Sequence, residues 1–474
     1  MENKNYRDYF RGKKITLMGL GLLGRGVGDA KFLAEMGADL IITDLKTEKE
    51  LALSLMKLKK LQATCPTRPN GSSGRTARRV TYVLGEHRLE DFQNRDLIIK
   101  AAGVPLDSPF IAEARRQNIP IEMSTALFVK LSGAKIIGVT GTRGKSTVTQ
   151  LIYEILSQGL PLKTQNPRVT LKIGKVWLGG NVAGVSTLAL LKKVKPDDLV
   201  VLELDSWQLQ GFGEDRISPN ISVFTNLLPD HLNYYASTSL STSLERYFKD
   251  KANIYKYQKK EDVVFAGREI AKKIKSPGRK VVPPSLPTNW KLNLLGEHNR
   301  FNASLAVAVA RELGVPDKII KKVLANFPGV PGRLELVKVS RGVKFYNDTT
   351  STTPDALKVG LEALGSKKKD IILIMAGADK KLDMSQAIKV VNKYCKAVIL
   401  LPGTGTDKLP PKFVGGSNLV KTLSEAVQTA VSLAKRGDII LLSPGFASFG
   451  PPPGGFKNEF DRGEKFNRLV KNLP

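Results

Sequence analysis

Cysteine is nearly absent from this sequence: Cys65 and Cys395 are the two in 474 residues, and they lie far apart. They form neither a disulfide framework nor the paired spacing of a zinc site. A disulfide-stapled scaffold is therefore excluded, and a reducing, cytoplasmic setting is expected. No apolar run reaches the roughly 18 residues a membrane-spanning helix needs, so no membrane span is expected. The stretch MENKNYRDYFRGKK at the start is polar and charged. It lacks an apolar h-region, so no signal peptide is expected either. Acidic residues are in deficit, 44 Asp+Glu against 74 Lys+Arg, for a net charge of +30. The basic residues are spread along the chain in short runs such as Lys367-Lys368-Lys369, without interleaved aromatics or a nucleic-acid motif. This suits an enzyme with polyanionic substrates better than a nucleic-acid binder.

What is present is an ordinary globular composition, with a 42% apolar share and length enough for two to four domains. Strands alternate with helices throughout, which predicts an α/β protein with mostly parallel sheets. Lys14-Ile15-Thr16-Leu17-Met18 reads as a strand, Gly19-Leu20-Gly21-Leu22-Leu23-Gly24 as a tight turn and DAKFLAEMGA as a helix. DLIITD is the next strand, ending at Asp44 about twenty residues after the last glycine, a G-x-G-x-x-G fingerprint in its proper context. DLIIKAAG at 96–103 repeats the strand-then-glycine pattern, and the Gly-, Ser-, Pro- and Arg-rich stretch 62–80 reads as an exposed loop. A second α/β unit opens at AKIIGVTG and includes DDLVVLELDSWQL and ISVFTNLLPDHLNYY as strands. NRFNASLAVAVARELG reads as a helix with Asn and Ser as start signals. FPGVPGR at 327–333 looks like a boundary. The third unit has four strands, GVKFYNDTT, DIILIMAGAD, AVILLPGTG and DIILLSPG. Ligands of open parallel sheets bind at the carboxyl ends of strands, which is where the unusual residues fall.

The stretch Gly138 to Thr147, GVTGTRGKST, resembles a phosphate loop of the wrong length. The usual form is G-x-x-x-x-G-K-[ST], and Val139 stands where its first glycine belongs. The chemistry is still that of a phosphate loop. Gly138, Gly141 and Gly144 allow close backbone approach, and the helix opening near Lys145 offers N–H groups and a positive dipole end. Lys145 would reach the β- and γ-phosphates, and Ser146 or Thr147 would ligate Mg²⁺. Glu203 ends a buried strand, where an acid is costly unless paired or metal-bound. His231 follows Asn226 and Asp230, in position for a second metal. The bland alternatives are a strand-helix turn that binds nothing, a salt bridge for Glu203 and a structural histidine.

The order GTRGKST, ELDSWQL, TNLLPDHL, KDKANIY, GEHNRFN and PGR resembles the Mur ligases, ATP-dependent amide ligases of peptidoglycan precursor synthesis. NDTTSTTPDA, AGADKKLDMS and LLSPGFASFG with FKNEFDRGEKFNRLV point to the D-glutamate-adding branch. The resemblance runs from Gly19 to about Val470. It implies three domains that close on each other: a Rossmann-like UDP-substrate domain over 1–124, a central P-loop-type ATP domain over 125–331, and a Rossmann-like amino-acid domain over 332–474. It makes the short loop the family's own form. The N-terminal fingerprint then holds UDP rather than NAD, with Gly21, Leu22, Leu23, Asp44, Lys46, Gly103, Asn181 and His231 as substrate contacts.

By the same resemblance ATP is held by Gly141, Thr142, Arg143, Gly144, Lys145, Ser146, Thr147, Asn299, Asn302, Arg333 and Asp348. Thr352, Lys380 and Ser448 receive the amino acid. Two Mg²⁺ ions sit near Ser146, Glu203, His231 and a carbamylated Lys251, and Lys145, Glu203, His231 and Lys251 carry the catalysis. The substrates implied are UDP-N-acetylmuramoyl-L-alanine and D-glutamate, joined by a monomer through an acyl phosphate. Four features depart from the family pattern: Arg143 for Asn, Asp205 for Ser, Thr350 for Lys, and the longer link Gly450–Gly455. Lys381 is the candidate to replace the charge missing at Thr350. Phe248 and Tyr255 are the expected neighbours of Lys251. The rival readings are a folylpolyglutamate or poly-γ-glutamate synthase, an NAD-dependent oxidoreductase, and a nucleic-acid ATPase.

Overall fold

The computed structural model describes residues 6–22, 24–62, 80–159, 174–182, 184–230, 234–235, 239–409, 418–448 and 456–474. The described chain divides into two units, one of Met1–Pro284 with Ala303–Val323 and one of Ser285–Asn302 with Leu324–Pro474.

The first unit contains two sheets. In the first, β1 (Lys14–Met18), β2 (Asp39–Asp44), β3 (Val80–Leu84), β4 (Leu97–Lys100) and β5 (Ile121–Glu122) lie in the order β3-β2-β1-β4-β5, all parallel. The second has β6 (Lys135–Thr140), β7 (Val176–Gly180), β8 (Leu199–Glu203), β9 (Ile221–Phe224), β10 (Val263–Ala266) and β11 (Arg279–Val281). Their order is β11-β10-β9-β6-β8-β7, again wholly parallel. The strand order reverses at β1/β4 and at β6, so the fingerprint turn and the short loop both open at a switch point, where such sheets take their ligands. β8, LVVLE, is buried along its whole length, as expected for a parallel strand covered on both faces.

The second unit holds β12 (Glu335–Ser340), β13 (Val343–Asn347), β14 (Ile371–Ala376), β15 (Cys395–Leu400), β16 (Asn418–Leu419) and β17 (Ile439–Gly445), in the order β12-β13-β17-β14-β15-β16. β12 and β13 pair antiparallel, and the other pairs are parallel. Separate apolar clusters fill the two faces of this sheet, one around Ile374, Leu442 and Phe466 and the other around Leu361, Leu373 and Leu441.

The α/β expectation holds, with three sheets of the expected kind. Several details differ. β12 and the two-residue β16 are edge strands that the pattern of four strands misses. The helix read from NRFNASLA begins upstream at Glu297, so Asn299 and Ser304 are helical rather than start signals. The loop read over 62–80 has helix at Gln62 and strand at Val80, and 63–79 lie outside the described residues. So do Leu23, His231 and Gly450–Gly455.

Candidate active site

The short loop leaves β6 and enters the helix Lys145–Gly159. Its shape requires glycine at two points. Gly141 has φ +143° and Gly144 φ +82°, a region that L side chains avoid. A Cβ on Gly141 would also stand 1.9 Å from Thr225 Oγ1. The loop is fastened to the segment after β9. Thr142 N–H donates to Asn226 O at 2.9 Å, and its hydroxyl donates to Leu228 O and accepts from Leu228 N–H. Arg143 N–H donates to Asn226 Oδ1 at 2.9 Å. The Arg143 carbonyl accepts from Thr225 Oγ1 at 2.6 Å and Asn226 Nδ2 at 3.3 Å. The amides of Thr142 and Arg143 are thus committed to Asn226, and the N–H groups at the helix start remain the ones placed to meet phosphate.

Basic side chains surround this loop. Lys145 Nζ donates to the carbonyls of Gly141 and Thr142 at 3.1 and 3.2 Å. Lys251, on the helix Leu240–Lys256, donates to the same Gly141 carbonyl at 2.8 Å and to Thr140 Oγ1 at 3.3 Å. Lys251 is 1% exposed, so it does not belong to the solvated basic surface. Burial first, and then the Lys145 charge, push its pKa well below the usual lysine range. Its neighbours differ from those expected. Its amine lies 4.7 Å from the centre of the Tyr247 ring, one turn earlier on the helix. Phe248 instead stacks against Phe224, and Tyr255 joins the core. Arg143 is paired with the buried Asp230, Nη1 to Oδ2 2.7 Å.

Glu203 ends β8 directly beside β6, in register with Val139, and is 6% exposed. Ser146 stands in the first turn of the helix after the loop. Two oxygen donors of this kind fit Mg²⁺, a hard cation that keeps several waters and is completed by substrate phosphate. Among the described residues no group of three or more His, Cys, Asp or Glu forms a protein-only metal cage.

At the fingerprint turn, Asp44 is 6% exposed. One carboxylate oxygen accepts from the N–H groups of Leu20 and Gly21, both at 2.9 Å, and the other from Lys46 N–H at 2.9 Å. Both oxygens therefore organise the turn, a role that the expectation of a substrate-contacting acid did not include. Leu22 and Gly103 are exposed and Lys46 is half-buried. Asn181 donates its N–H to the Glu203 carbonyl at 2.7 Å, and its side-chain oxygen accepts from Arg25. The carboxyl ends of β1, β7 and β8 are thereby linked.

In the second unit, Lys380 Nζ approaches Thr352 Oγ1 at 3.4 Å. Both line a shallow surface hollow with Asp379, Leu382, Met384 and Phe446. Ser448 is not part of its wall; its hydroxyl donates to Glu459 at 3.0 Å. Thr350 donates to the Gly332 carbonyl through its hydroxyl at 3.0 Å. The charge brought to this turn is that of the fully buried Arg462, which donates to Thr349 O at 2.9 Å and Thr349 Oγ1 at 3.1 Å. Lys381 donates its backbone N–H to Asp379 Oδ1 at 2.8 Å. Asp348 accepts from Leu334 N–H at 3.1 Å and Ser443 Oγ at 2.9 Å. Burial raises its pKa to about 7, against the opposing charge of Arg333. Asn302 donates to Asn299 at 3.2 Å, and Asn299 donates to Leu295 O at 2.8 Å.

Residues 139–282 match the Mur ligase middle domain, and residues 332–446 match the Mur ligase glutamate ligase domain. The chain is 33% identical to the UDP-N-acetylmuramoylalanine–D-glutamate ligase of Roseiflexus sp., covering 98% of this chain and 99% of that protein. It is equally similar, at 33% and the same coverage, to the ligase of that name from Borreliella burgdorferi. Among solved structures it resembles the UDP-N-acetylmuramate-alanine ligase of Thermotoga maritima, with a TM-score of 0.59 at 18% identity over 97% of this chain and 99% of that one. That likeness concerns the fold. With the fastened short loop, Glu203 beside it and a buried lysine over it, these matches place the chain in the Mur ligase family.

Proposed function

We infer that this chain is an ATP-dependent acid–amino-acid ligase of peptidoglycan precursor synthesis that adds D-glutamate to UDP-N-acetylmuramoyl-L-alanine. The observation that carries the substrate assignment is the end-to-end similarity to two ligases so named. The observation that carries the chemistry is the short loop with Lys145, Glu203 and Lys251 gathered at it. The folylpolyglutamate, poly-γ-glutamate and NAD readings are not favoured, since the similarity extends through the N-terminal sheet. We propose domain limits of 1–124, 125–331 and 332–474, a monomeric state and a cytoplasmic location. No helix among the described residues is long and apolar enough to cross a membrane.

The reaction joins two anions, so the protein's task is to gather cations. A carboxylate oxygen of the UDP-sugar substrate bonds to the γ-phosphorus as the bond to the bridging oxygen breaks, giving ADP and an acyl phosphate. The amine of D-glutamate then displaces phosphate and sheds a proton. Lys145 neutralises the transferring phosphoryl. Ser146 and Glu203 would hold Mg²⁺, which would supply further neutralisation of phosphate charge, and a second ion is proposed near His231 and Lys251. Lys251 enters as a neutral amine, which its burial already favours; it adds to CO₂, releases a proton and becomes a carbamate. Asn299, Asn302, Arg333 and Asp348 are assigned to ATP, and Gly21, Leu22, Leu23, Asp44, Lys46, Gly103, Asn181 and His231 to the UDP-sugar. Thr352, Lys380 and Ser448 are assigned to the amino acid. The test is phosphate release from ATP with UDP-N-acetylmuramoyl-L-alanine present and the amino acid varied. Release with D-glutamate, and little with L-glutamate, glycine or L-alanine, is expected. A different preferred amino acid would overturn the substrate assignment.

A further inference from the structure

We propose that Asp230 is a positioning residue that holds the Arg143 guanidinium at the mouth of the short loop, where Arg143 contacts the phosphoryl group during its transfer. The proposal rests on the ATP-dependent ligase reading and adds a cation and its tether to that site.

Arg143 donates its N–H to Asn226 and accepts from Thr225 and Asn226 at its carbonyl. Its peptide groups are therefore taken up by the protein, and its functional reach lies in the side chain. The side chain is rooted at a fixed point and is only 25% exposed. Its Nη1 lies 2.7 Å from Asp230 Oδ2 and 3.4 Å from the Thr142 carbonyl. The same segment, 225–230, thus fixes both the backbone and the head of Arg143.

Cationic side chains converge on the loop, with Asp205 and Asp230 among the carboxylates that face them. Arg143, Lys145 and Lys251 all reach the carbonyls of Thr142 or Gly141. Asp230, only 9% exposed in its side chain, bonds to Arg143 within this group. A nearly buried ion pair is a poor source of stability, because desolvation offsets its attraction. It is a good way to hold a guanidinium in one direction. A guanidinium carries five N–H donors in a planar fork, so it can keep a carboxylate on one edge and take phosphoryl oxygens on another. Phosphoryl transfer spreads charge over the equatorial oxygens, where an arginine acts without exchanging a proton. In this step the substrate oxygen bonds to phosphorus, the bond to the bridging oxygen breaks and its electron pair leaves on ADP. Arg143 stays protonated throughout.

The test compares Arg143→Asn, Arg143→Lys, Asp230→Asn and the double variant Arg143→Asn/Asp230→Asn with the parent. The readouts are kcat for phosphate release, KM for ATP and the melting temperature. The expected result for Arg143→Asn is a loss of kcat of at least ~100-fold, with KM for ATP changed much less. Arg143→Lys should recover only part, because an ammonium lacks the fork. Asp230→Asn should lose ~10-fold in kcat with the arginine still present, as a misaimed catalytic cation does. The double variant leaves no buried carboxylate unpaired, so it folds even if Arg143→Asn does not, and its kcat then decides. A double variant with kcat within ~2-fold of the parent overturns the proposal. So does a loss matched by a fall in folded fraction. If the parent turns over and the variants keep its kcat, the ligase reading stands without the arginine. If the parent itself releases no phosphate with D-glutamate and UDP-N-acetylmuramoyl-L-alanine, both fall.

Discussion

Lys145 and Lys251 place their amines on one oxygen, the carbonyl of Gly141, at 3.1 and 2.8 Å. Two ammonium ions sharing one acceptor repel, and burial penalises the charge on the less exposed of them. Lys251 is that one, and the Lys145 charge is the second cause of its lowered pKa after burial itself. The depression thus arises from the protein's own groups. It favours the neutral amine, the form that a carbamate requires.

Lys251→Arg should therefore be nearly inactive, because a guanidinium cannot form a carbamate and is forced to carry charge in a closed pocket. Lys251→Glu supplies an anion at similar reach and should retain more activity than the arginine variant. Steady-state turnover of the two, alongside parent enzyme assayed in CO₂-depleted buffer with and without added bicarbonate, checks this. Parent-like turnover of Lys251→Arg would return the residue to a structural role.

Lys145→Ala should abolish ATP-dependent phosphate release while leaving the fold intact. A cation placed at developing phosphoryl charge contributes roughly 3 kcal/mol or more to the barrier, which corresponds to at least ~100-fold in rate. The measurement is single-turnover acyl phosphate formation. Near-normal formation would remove this lysine from the mechanism.

Gly141→Ala meets both a backbone angle that alanine resists and a contact of 1.9 Å with Thr225 Oγ1. The loop must then distort. Loss of the melting-temperature rise produced by ATP is expected, and an unchanged rise would show that the nucleotide does not use this loop.

Asp44→Ala removes the acceptor for three backbone N–H groups. Leaving buried donors unpaired costs roughly 1–3 kcal/mol each, so the turn should loosen. KM for the UDP-sugar should rise by at least ~10-fold while KM for ATP changes little, and NADH should have no effect. Tight NADH binding that UDP-sugars do not displace would contradict the ligase reading.

Asp348 gives a pH prediction. Its folded pKa, about 7, is raised above the ordinary carboxylate value near 4. The folded state therefore holds a proton that the unfolded chain has already released. Stability falls as pH rises through this window, by roughly 1 kcal/mol between pH 6 and 8 for this group alone. Asp348→Asn should flatten that dependence, so the melting-temperature difference between variant and parent should move in the variant's favour from pH 6 to pH 8. Parallel curves would show that the carboxyl is already ionised at pH 6.

The phosphate loop and the fingerprint turn were legible because glycine, Lys-Ser-Thr and the preceding aliphatic strand are local signals. Their position at switch points followed from strand alternation. The sequence placed Lys251 on a helix, but its burial arises from tertiary packing and had no local signature. The choice of Tyr247 over Phe248 as its neighbour turns on one residue of helical phase, which spacing of three or four does not resolve. Asp44 was singled out as a substrate contact, but its backbone partners depend on how the turn folds back. Arg462 lies in FDRGEKF, a charged stretch that reads as solvated helix; the fold buries it fully against Thr349. The edge strands β12 and β16 were missed because their side chains are largely exposed or half-buried, which removes the apolar signal.

The fastening of residues 142 and 143 to Asn226 has a thermodynamic consequence. The ordering entropy of the nucleotide loop is spent when the protein folds, not when ATP arrives. Association then immobilises the ligand but little of the chain, which favours tighter binding for the same contacts. Asn226→Ala should transfer that cost back to the binding step, making ATP association more unfavourable in entropy although the substituted side chain need not touch the nucleotide.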